Sequence, residues 1–354
     1  MITYIALPND SLEKIASDLK IENPIYLREF HNTHCAKHER FFDDLRTGQS
    51  LLLPFGNEIK ELNKKIIENG DSLYYHPPQG KIPFPIDLLK GKYTINHQKF
   101  LNDALLTDYE YQIDLNYIQL DNSEHIFSLQ MYDFKKEGIE SDTKMSSLAK
   151  ACVEVLYPLQ IIINEETEIK DIRLTSPENL IKDHLETLKS YFTDEYSSSY
   201  INQMKSVIEN KKILLENLKN TLPVHFLTGT FYRAIYGDWT DSQIYYDFVP
   251  WITNASPIRF ELRNTIQPKE NDAVLKIIQS GRSSDNRSMD QLYSKSSIFD
   301  TKAPLTENAV NCDYFSEYSF NRTDLSFKKI EAAFNIYIDD VTEKEIFMME
   351  KQEK

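Results

Sequence analysis

The hydrophobic and polar positions of residues 1–56 alternate between strand-like and helix-like spacing. Ile2 and Tyr4 are separated by one residue, which predicts a short strand. The apolar residues that follow recur at helical spacing: Leu12, Ile15, Ala16 and Leu19. Asp10, with Glu13 three positions on, can form a capping box at the start of this helix. A second short helix is predicted from Ile25, Leu27 and Phe30, and a short strand from Leu51, Leu52 and Leu53, ended by Pro54. The pattern therefore predicts a small βααβ head over residues 1–56.

Residues 57–90 are predicted to be a linker, which begins as a polar helix or an extended segment. Four prolines fall between Pro77 and Pro85. Proline lacks a backbone donor and clashes with a preceding helical turn, so this stretch cannot be a helix or a central strand. The 77–85 segment is thus expected to be a stiff, extended connector.

Residues 91–354 have mainly the period-two pattern of antiparallel strands. The clearest strand is predicted at 109–120, where Tyr109, Tyr111, Ile113, Leu115 and Tyr117 alternate with polar residues. Further strands are predicted at 92–97, 125–134, 159–163, 169–174, 222–236, 243–251, 257–267, 271–279, 313–320, 327–338 and 345–349. Helices are predicted at 143–157, 177–195 and 199–220, the last two as an amphipathic hairpin. The predicted fold class is α+β: a large antiparallel, curved sheet or partly open barrel packed on a helix and a helical hairpin.

The net charge of the chain limits the classes of partner that it is expected to bind. Lys and Arg number 40 and Asp and Glu 55, which gives a net charge of −15. Nucleic acids and anionic membranes are bound through basic side chains, so neither is expected as a partner. No apolar run approaches the roughly 20 residues of a membrane span, so no membrane insertion is expected. The residues at the start resemble no signal peptide, and three scattered cysteines fit a reducing compartment. These observations predict a cytoplasmic protein, or one exported without a cleavable signal peptide.

Motifs for catalysis or cofactor binding are absent from the sequence. The chain has no glycine-rich phosphate loop, no nucleophile elbow and no paired metal motif. The adjacent acids Glu165 and Glu166, and Asp339 and Asp340, are typical of surface turns. We therefore predict a non-enzymatic protein without a cofactor.

Two clusters of side chains have alternative interpretations. His34 and His38 would share one face of a helix, and His31 lies close by in sequence, so the three are candidate metal ligands. A structural role is favoured, since no glutamate lies between them as a helical zinc motif requires. Trp239 and Trp251 flank the aromatic and acidic segment 245–248. This segment is either a second carbohydrate surface or the core side of a strand, and core packing is favoured.

The head resembles a LysM domain of bacterial proteins. The residues that carry the resemblance are Asn9-Asp10-Ser11-Leu12, Ile15-Ala16 and the closing pattern Leu45-x-x-Gly48-Gln49-x-Leu51-x-x-Pro54. Asn9 stands where the family usually has glycine, although asparagine also tolerates a positive φ. The segment between the second helix and the second strand, 37–46, is longer and more charged than is usual.

This resemblance implies a groove between two loops that binds glycan or a partner. LysM domains typically bind polymers of N-acetylglucosamine, such as peptidoglycan. The implied groove residues are Pro8, Asn9, Asp10, Ser11, Thr47, Gly48 and Gln49. The same residue types also serve as turn and capping residues, which is the alternative for each position taken singly.

The sequence favours one function over two others. LysM-like heads without signal peptides also occur in phage tails and in contractile injection machines of the type VI kind. The favoured function is an adaptor whose head is an interaction module in such a bacterial assembly or secretion apparatus. The first alternative is a peptidoglycan-binding protein, and the second is an enzyme with an unrecognised C-terminal domain.

Overall fold

The protein is an α+β chain, seen in a computed structural model that describes residues 1–140, 143–237, 240–270, 273–298, 309–338 and 341–353. It divides into two compact units. The first unit holds residues 1–76 with the described residues 240 and 266–270. The second unit holds 77–237, 241–265 and the described residues from 273 onward.

The first unit begins with a two-stranded antiparallel sheet and two helices. Its elements are β1 (Ile2–Ile5), α1 (Leu12–Asp18), α2 (Pro24–His34), a 3₁₀ turn (Lys37–Glu39), β2 (Ser50–Leu53) and α3 (Asn57–Glu68). Helix α1 is capped by Ser11, whose hydroxyl accepts a hydrogen bond from the Lys14 backbone N–H at 3.1 Å. The capping residue predicted from the sequence was Asp10, one position earlier. Helix α2 is capped by Asn23, with Pro24 at its first position.

The core of the first unit extends beyond residue 56. Its buried members are Leu12, Ile15, Ala16, Ile21, Tyr26, Leu27, Leu51, Leu53 and Ile66. Ile66 belongs to α3 and is fully buried, with Ile59 and Leu62 packed against the same cluster. Residues 57–68, which the sequence places in a linker, therefore form a helix of the first unit. Their apolar positions have helical spacing that the charged residues between them obscure.

The second unit is built on one antiparallel sheet. Its strands are β3 (Gly91–Leu101), β4 (Ala104–Asp121), β5 (Glu124–Lys136), β6 (Ile139–Glu140), β7 (Leu159–Asn164), β8 (Ile169–Leu174), β9 (Tyr245–Val249), β10 (Ile258–Ile266), β11 (Val274–Ser283), β12 (Asn311–Asn321), β13 (Phe327–Ile338) and β14 (Val341–Lys351). The strand order is β8-β7-β5-β4-β3-β14-β13-β12-β11-β10-β9, and β6 pairs with β5. Among the described residues β8 and β9 are unpaired edges at opposite ends, so the sheet is open and does not close into a barrel.

The helices of the second unit differ in detail from the prediction. They are α4 (Lys144–Glu154), α5 (Glu178–Tyr191), α6 (Glu195–Glu209), α7 (Lys211–Lys219), α8 (Leu222–Thr228) and α9 (Met289–Tyr293). The predicted helix 199–220 is two helices, because Asn210 ends α6 and its side chain accepts from the Ile213 N–H to cap α7. The predicted strand 222–236 forms α8 and a 3₁₀ turn, Thr230–Arg233. Proline in the first turn of α8 is compatible with a helix start.

An aromatic core lies between α8 and one face of the sheet. Phe226 of α8 stacks on Phe347 of β14, with ring centroids 5.1 Å apart. Phe231, in the turn after α8, stacks on Tyr318 of β12 at 3.7 Å. The apolar residues of 222–236 thus cover the sheet from a helix and a turn. The opposite face of the same strands carries mainly polar side chains, with the apolar residues Phe315, Ile346 and Met348 among them.

Candidate functional site

Two loops of the first unit meet at one end of the β1–β2 pair. We name them loop A (residues 7–11) and loop B (residues 46–49). Strand pairing ends at Ile5 and Ser50. Beyond it, the Ala6 N–H donates to the Gln49 carbonyl at 3.0 Å, and the Gly48 N–H donates to the Ala6 carbonyl at 2.8 Å. The structure therefore brings together the two segments that contain all seven groove residues predicted from the sequence.

Loop A is held by Asp10. The Asp10 carboxylate accepts hydrogen bonds from the Tyr4 hydroxyl at 2.5 Å, the Leu7 N–H at 2.9 Å and the Lys14 ammonium at 3.1 Å. These contacts lower the pKa of Asp10 to about 2, with the Tyr4 hydrogen bond the largest cause. The Asp10 side chain is only 4% exposed. Asp10 and the helix cap Ser11 therefore shape the loop, and the Asp10 carboxylate is already engaged by three donors.

Loop B is a tight turn closed by its own residues. The Gln49 N–H donates to the Arg46 carbonyl at 3.0 Å, and the Gln49 side chain accepts from the Arg46 N–H at 3.1 Å. Gly48 has a φ of 82° and Asn9 of loop A a φ of 71°, the left-handed region in which glycine and asparagine are the tolerated residues. Pro8, Asn9, Thr47 and Gly48 are exposed. These four residues form the accessible part of the candidate site.

The histidines near the head have separate environments. His31 is buried, accepts at Nδ1 from the Leu52 N–H at 3.0 Å, and lies 3.1 Å through Nε2 from the Glu39 carbonyl. Because Nδ1 accepts, the proton is on Nε2 and donates to Glu39, so both ring nitrogens are used. His34 bonds through Nδ1 to the Phe30 carbonyl of its own helix, and His38 is exposed. Within the part of the chain that the structure describes, no three His, Cys, Asp or Glu side chains form a group that could hold a metal.

The aromatic segment 245–248 does not form one surface with its flanking tryptophans. Trp251 is 2% exposed and stacks on Phe334 at 4.7 Å between ring centroids, while Trp239 lies outside the described residues. Tyr246 is exposed, lies under the Arg259 guanidinium at 4.2 Å and bonds Glu261. Trp251 is therefore a core residue. Of the adjacent acids, Glu165 and Glu166 are exposed between β7 and β8, and Asp339 and Asp340 also lie outside the described residues.

A buried polar network joins strands β9 to β12, and the sequence reading did not find it. Gln279 donates to the Tyr245 hydroxyl at 2.6 Å, and Tyr245 donates to Asn264 at 2.7 Å. Tyr314 and Ser316 both donate to the Gln279 carbonyl oxygen. The sequence signal was an amide side chain at an inward-facing position of an alternating strand, as at Asn264 and Gln279. Hydrogen-bonded and buried, these groups fix the register of the strands.

Comparison with known proteins adds one partial similarity. No protein-family model matches the chain. The aspartate carbamoyltransferase catalytic subunit of Aquifex aeolicus (strain VF5) is 34% identical over 86 residues. The match covers 21% of this chain and 29% of that protein, so the chain spans less than a third of the length of the curated relative it matches. Among the described helices, none is long and apolar enough to cross a membrane.

Proposed function

We propose that the chain is a non-enzymatic binding protein, with a LysM-like head that docks a protein partner in a larger bacterial assembly. A contractile injection or secretion apparatus is such an assembly. The observation that carries the proposal is the pairing of loops A and B through the Ala6 hydrogen bonds to Gly48 and Gln49. The pairing sets Pro8, Asn9 and Thr47 at one end of the strand pair, where they are exposed.

The side chains around the loops favour a protein over a glycan. Neither loop contains an aromatic residue whose face could stack on a sugar ring. Leu7 is 59% exposed and Ile5 is 53% exposed, which places two apolar side chains at the start of loop A. Apolar contacts surrounded by polar groups are typical of protein interfaces.

A peptidoglycan-binding function is the alternative that a specific observation also supports. The first unit has the βααβ element order, and its two loops lie at the same end of the strand pair, as the LysM resemblance requires.

The remaining alternative is an enzyme. The partial likeness to a carbamoyltransferase motivates one assay, transfer of a carbamoyl group to aspartate by the purified full chain, and turnover would contradict the non-enzymatic proposal.

A substitution in loop B tests the proposal. We choose Thr47→Arg because Thr47 is exposed, whereas Asp10→Ala would also disturb loop A by removing three hydrogen bonds. The matched control is Thr33→Arg, at an exposed position of α2 outside both loops. Full-length protein and both variants are run by size exclusion with purified products of the neighbouring genes, and sedimented with insoluble peptidoglycan.

The two binding functions predict different outcomes. For the adaptor we expect a protein complex that Thr47→Arg abolishes and Thr33→Arg preserves, with no retention on peptidoglycan. Retention on peptidoglycan that Thr47→Arg alone removes would instead support the glycan alternative. Neighbouring genes that encode no secretion or phage-tail component would remove most support for the adaptor.

A further inference from the structure

A large open cleft lies on the face of the second unit's sheet that is opposite the aromatic core. Its volume is 1380 Å³, and it is lined at one end of strands β4, β3, β14, β13, β12 and β11. Six lysines contribute to the lining: Lys90, Lys92, Lys276, Lys328, Lys329 and Lys351. Three carboxylates line it, from Asp114, Glu350 and Glu353. The lining thus has an excess of three positive charges, in a chain whose net charge is −15.

Part of this charge is already engaged. Lys276 forms an ion pair with Glu317 at 3.6 Å, and Lys329 with Glu331 at 2.5 Å. The Lys351 ammonium donates to the Leu88 carbonyl at 2.8 Å. Among the described residues no carboxylate forms an ion pair with Lys90, Lys92 or Lys328, even though Asp114 is the cross-strand neighbour of Lys92. Three ammonium groups therefore remain available to a ligand.

An irregularity in β13 brings Lys328 into this lining. In a regular strand, successive side chains point to opposite faces, so Lys328 and Lys329 could not both line one cleft. Ser319 of β12 pairs with Lys329, but the next residue, Phe320, pairs with Phe327, which leaves Lys328 as an extra residue in the ladder. A β-bulge of this kind redirects a side chain and is frequent beside functional sites.

We propose that this cleft binds a phosphorylated small molecule, with Lys90, Lys92 and Lys328 as the phosphate-binding groups. Lysine is a common phosphate ligand and binds phosphate as a point charge, and the lining contains no arginine among the described residues. The hydroxyl groups of Thr94 and Ser319, on neighbouring strands, also line the cleft. Its volume exceeds the roughly 300–1,000 Å³ of pockets for drug-sized ligands, so it has room for an organic group beyond the phosphate. This site is independent of the function proposed for the head.

Calorimetric titration of the full chain tests the site. The probes are pyrophosphate, ATP, vesicles that contain phosphatidic acid, and polyglutamate, in a phosphate-free and sulfate-free buffer at about 50 mM salt. We expect pyrophosphate and ATP to bind, and binding to weaken as salt is raised. Lys92→Gln and Lys328→Gln are each expected to weaken binding about tenfold, the typical loss for one charge-assisted hydrogen bond. Lys92→Arg, which keeps the charge, should retain most of the affinity.

The control is Lys212→Gln, at an exposed position of α7 outside the cleft. Thermal unfolding of each variant shows whether the fold is preserved, and Lys92 is itself exposed. A loss of affinity in Lys212→Gln equal to that in Lys92→Gln or Lys328→Gln would contradict the proposed site. So would failure of the wild-type chain to bind either phosphate compound. Tighter binding of polyglutamate than of the phosphate compounds would contradict the proposal and identify an acidic peptide as the ligand. Binding to the vesicles alone would contradict it as well and identify a lipid surface as the ligand.

Discussion

Replacement of His31 by alanine should destabilise the head, because this histidine is a structural tie between α2, β2 and the turn after α2. The side chain is 1% exposed, and the Leu52 N–H has the His31 Nδ1 as its partner. His31→Ala leaves that backbone donor without a partner, removes the bond to Glu39 and opens a cavity beside Phe41. We expect a loss of about 2–4 kcal/mol in the free energy of unfolding of the head.

Hydrogen exchange measured by mass spectrometry reports this loss on the head itself. Both tryptophans of the chain, Trp239 and Trp251, lie outside residues 1–76, so fluorescence is less suitable. The protection of the peptide that contains β2 should fall about 30-fold or more in His31→Ala. His31→Asn should recover part of it, since its side-chain oxygen can replace Nδ1 as the acceptor. His34→Ala is the control, because His34 is exposed and bonds only within its own helix.

Two results would refute this account of His31. Protection in His31→Ala within threefold of the wild type would show that the two hydrogen bonds contribute little. A stabilisation of the wild type by added zinc, lost in both His31→Ala and His34→Ala, would show that the histidines are metal ligands.

The other predictions concern loop A, loop B and a buried ion pair. The pKa of Asp10 is lowered to about 2, so its stabilising contribution is full above the unfolded value of about 4 and is lost as the pH falls through 2. The stability advantage of the wild type over Asp10→Asn, measured by denaturant unfolding, should shrink over that interval and be constant at neutral pH. Gly48→Ala should cost about 1–2 kcal/mol, since φ is 82°, and Asn9→Gly should be close to neutral. Arg287→Ala should cost about 3–5 kcal/mol in urea unfolding, because the side chain of its partner Asp285 is 0% exposed. Arg282→Ala, at an exposed ion pair, should cost less than about 1 kcal/mol.

The loops of the head were predictable because their placement follows from local rules. Asn9 and Gly48 are the residue types that left-handed turns require, and an apolar strand follows loop B. Once β1 pairs with β2, the segments beyond Ile5 and before Ser50 must be adjacent. The sequence could not show that the Asp10 carboxylate is hydrogen-bonded by Tyr4 and Leu7. An aspartate in a predicted turn gives the same sequence pattern whether its carboxylate is exposed or bonded.

Residues 222–236 show why other elements were not predictable. Phe226, Leu227 and Phe231 give an apolar run that fits a buried strand as well as a helix, and periodicity does not separate the two at this length. The choice is made by packing, since Phe226 stacks on Phe347, a residue distant in sequence. The burial of Trp251 against Phe334 has the same origin. Packing partners that are distant in sequence produce no local pattern of residues from which these contacts could be predicted.

The lysine cleft could not be predicted from the sequence for a different reason. Net charge is a sum over the chain, and a value of −15 argues against polyanions as large as nucleic acid without excluding a small local excess of positive charge. Lys92 and Lys328 come together only because β3 pairs with β14 and β14 with β13. Strict alternation back from Lys329 would also place Lys328 on the buried face, and the bulge against Ser319 and Phe320 prevents this. A one-residue irregularity in strand pairing thus decides whether the third ammonium group faces the aromatic core or the cleft, and the phosphate site depends on that position.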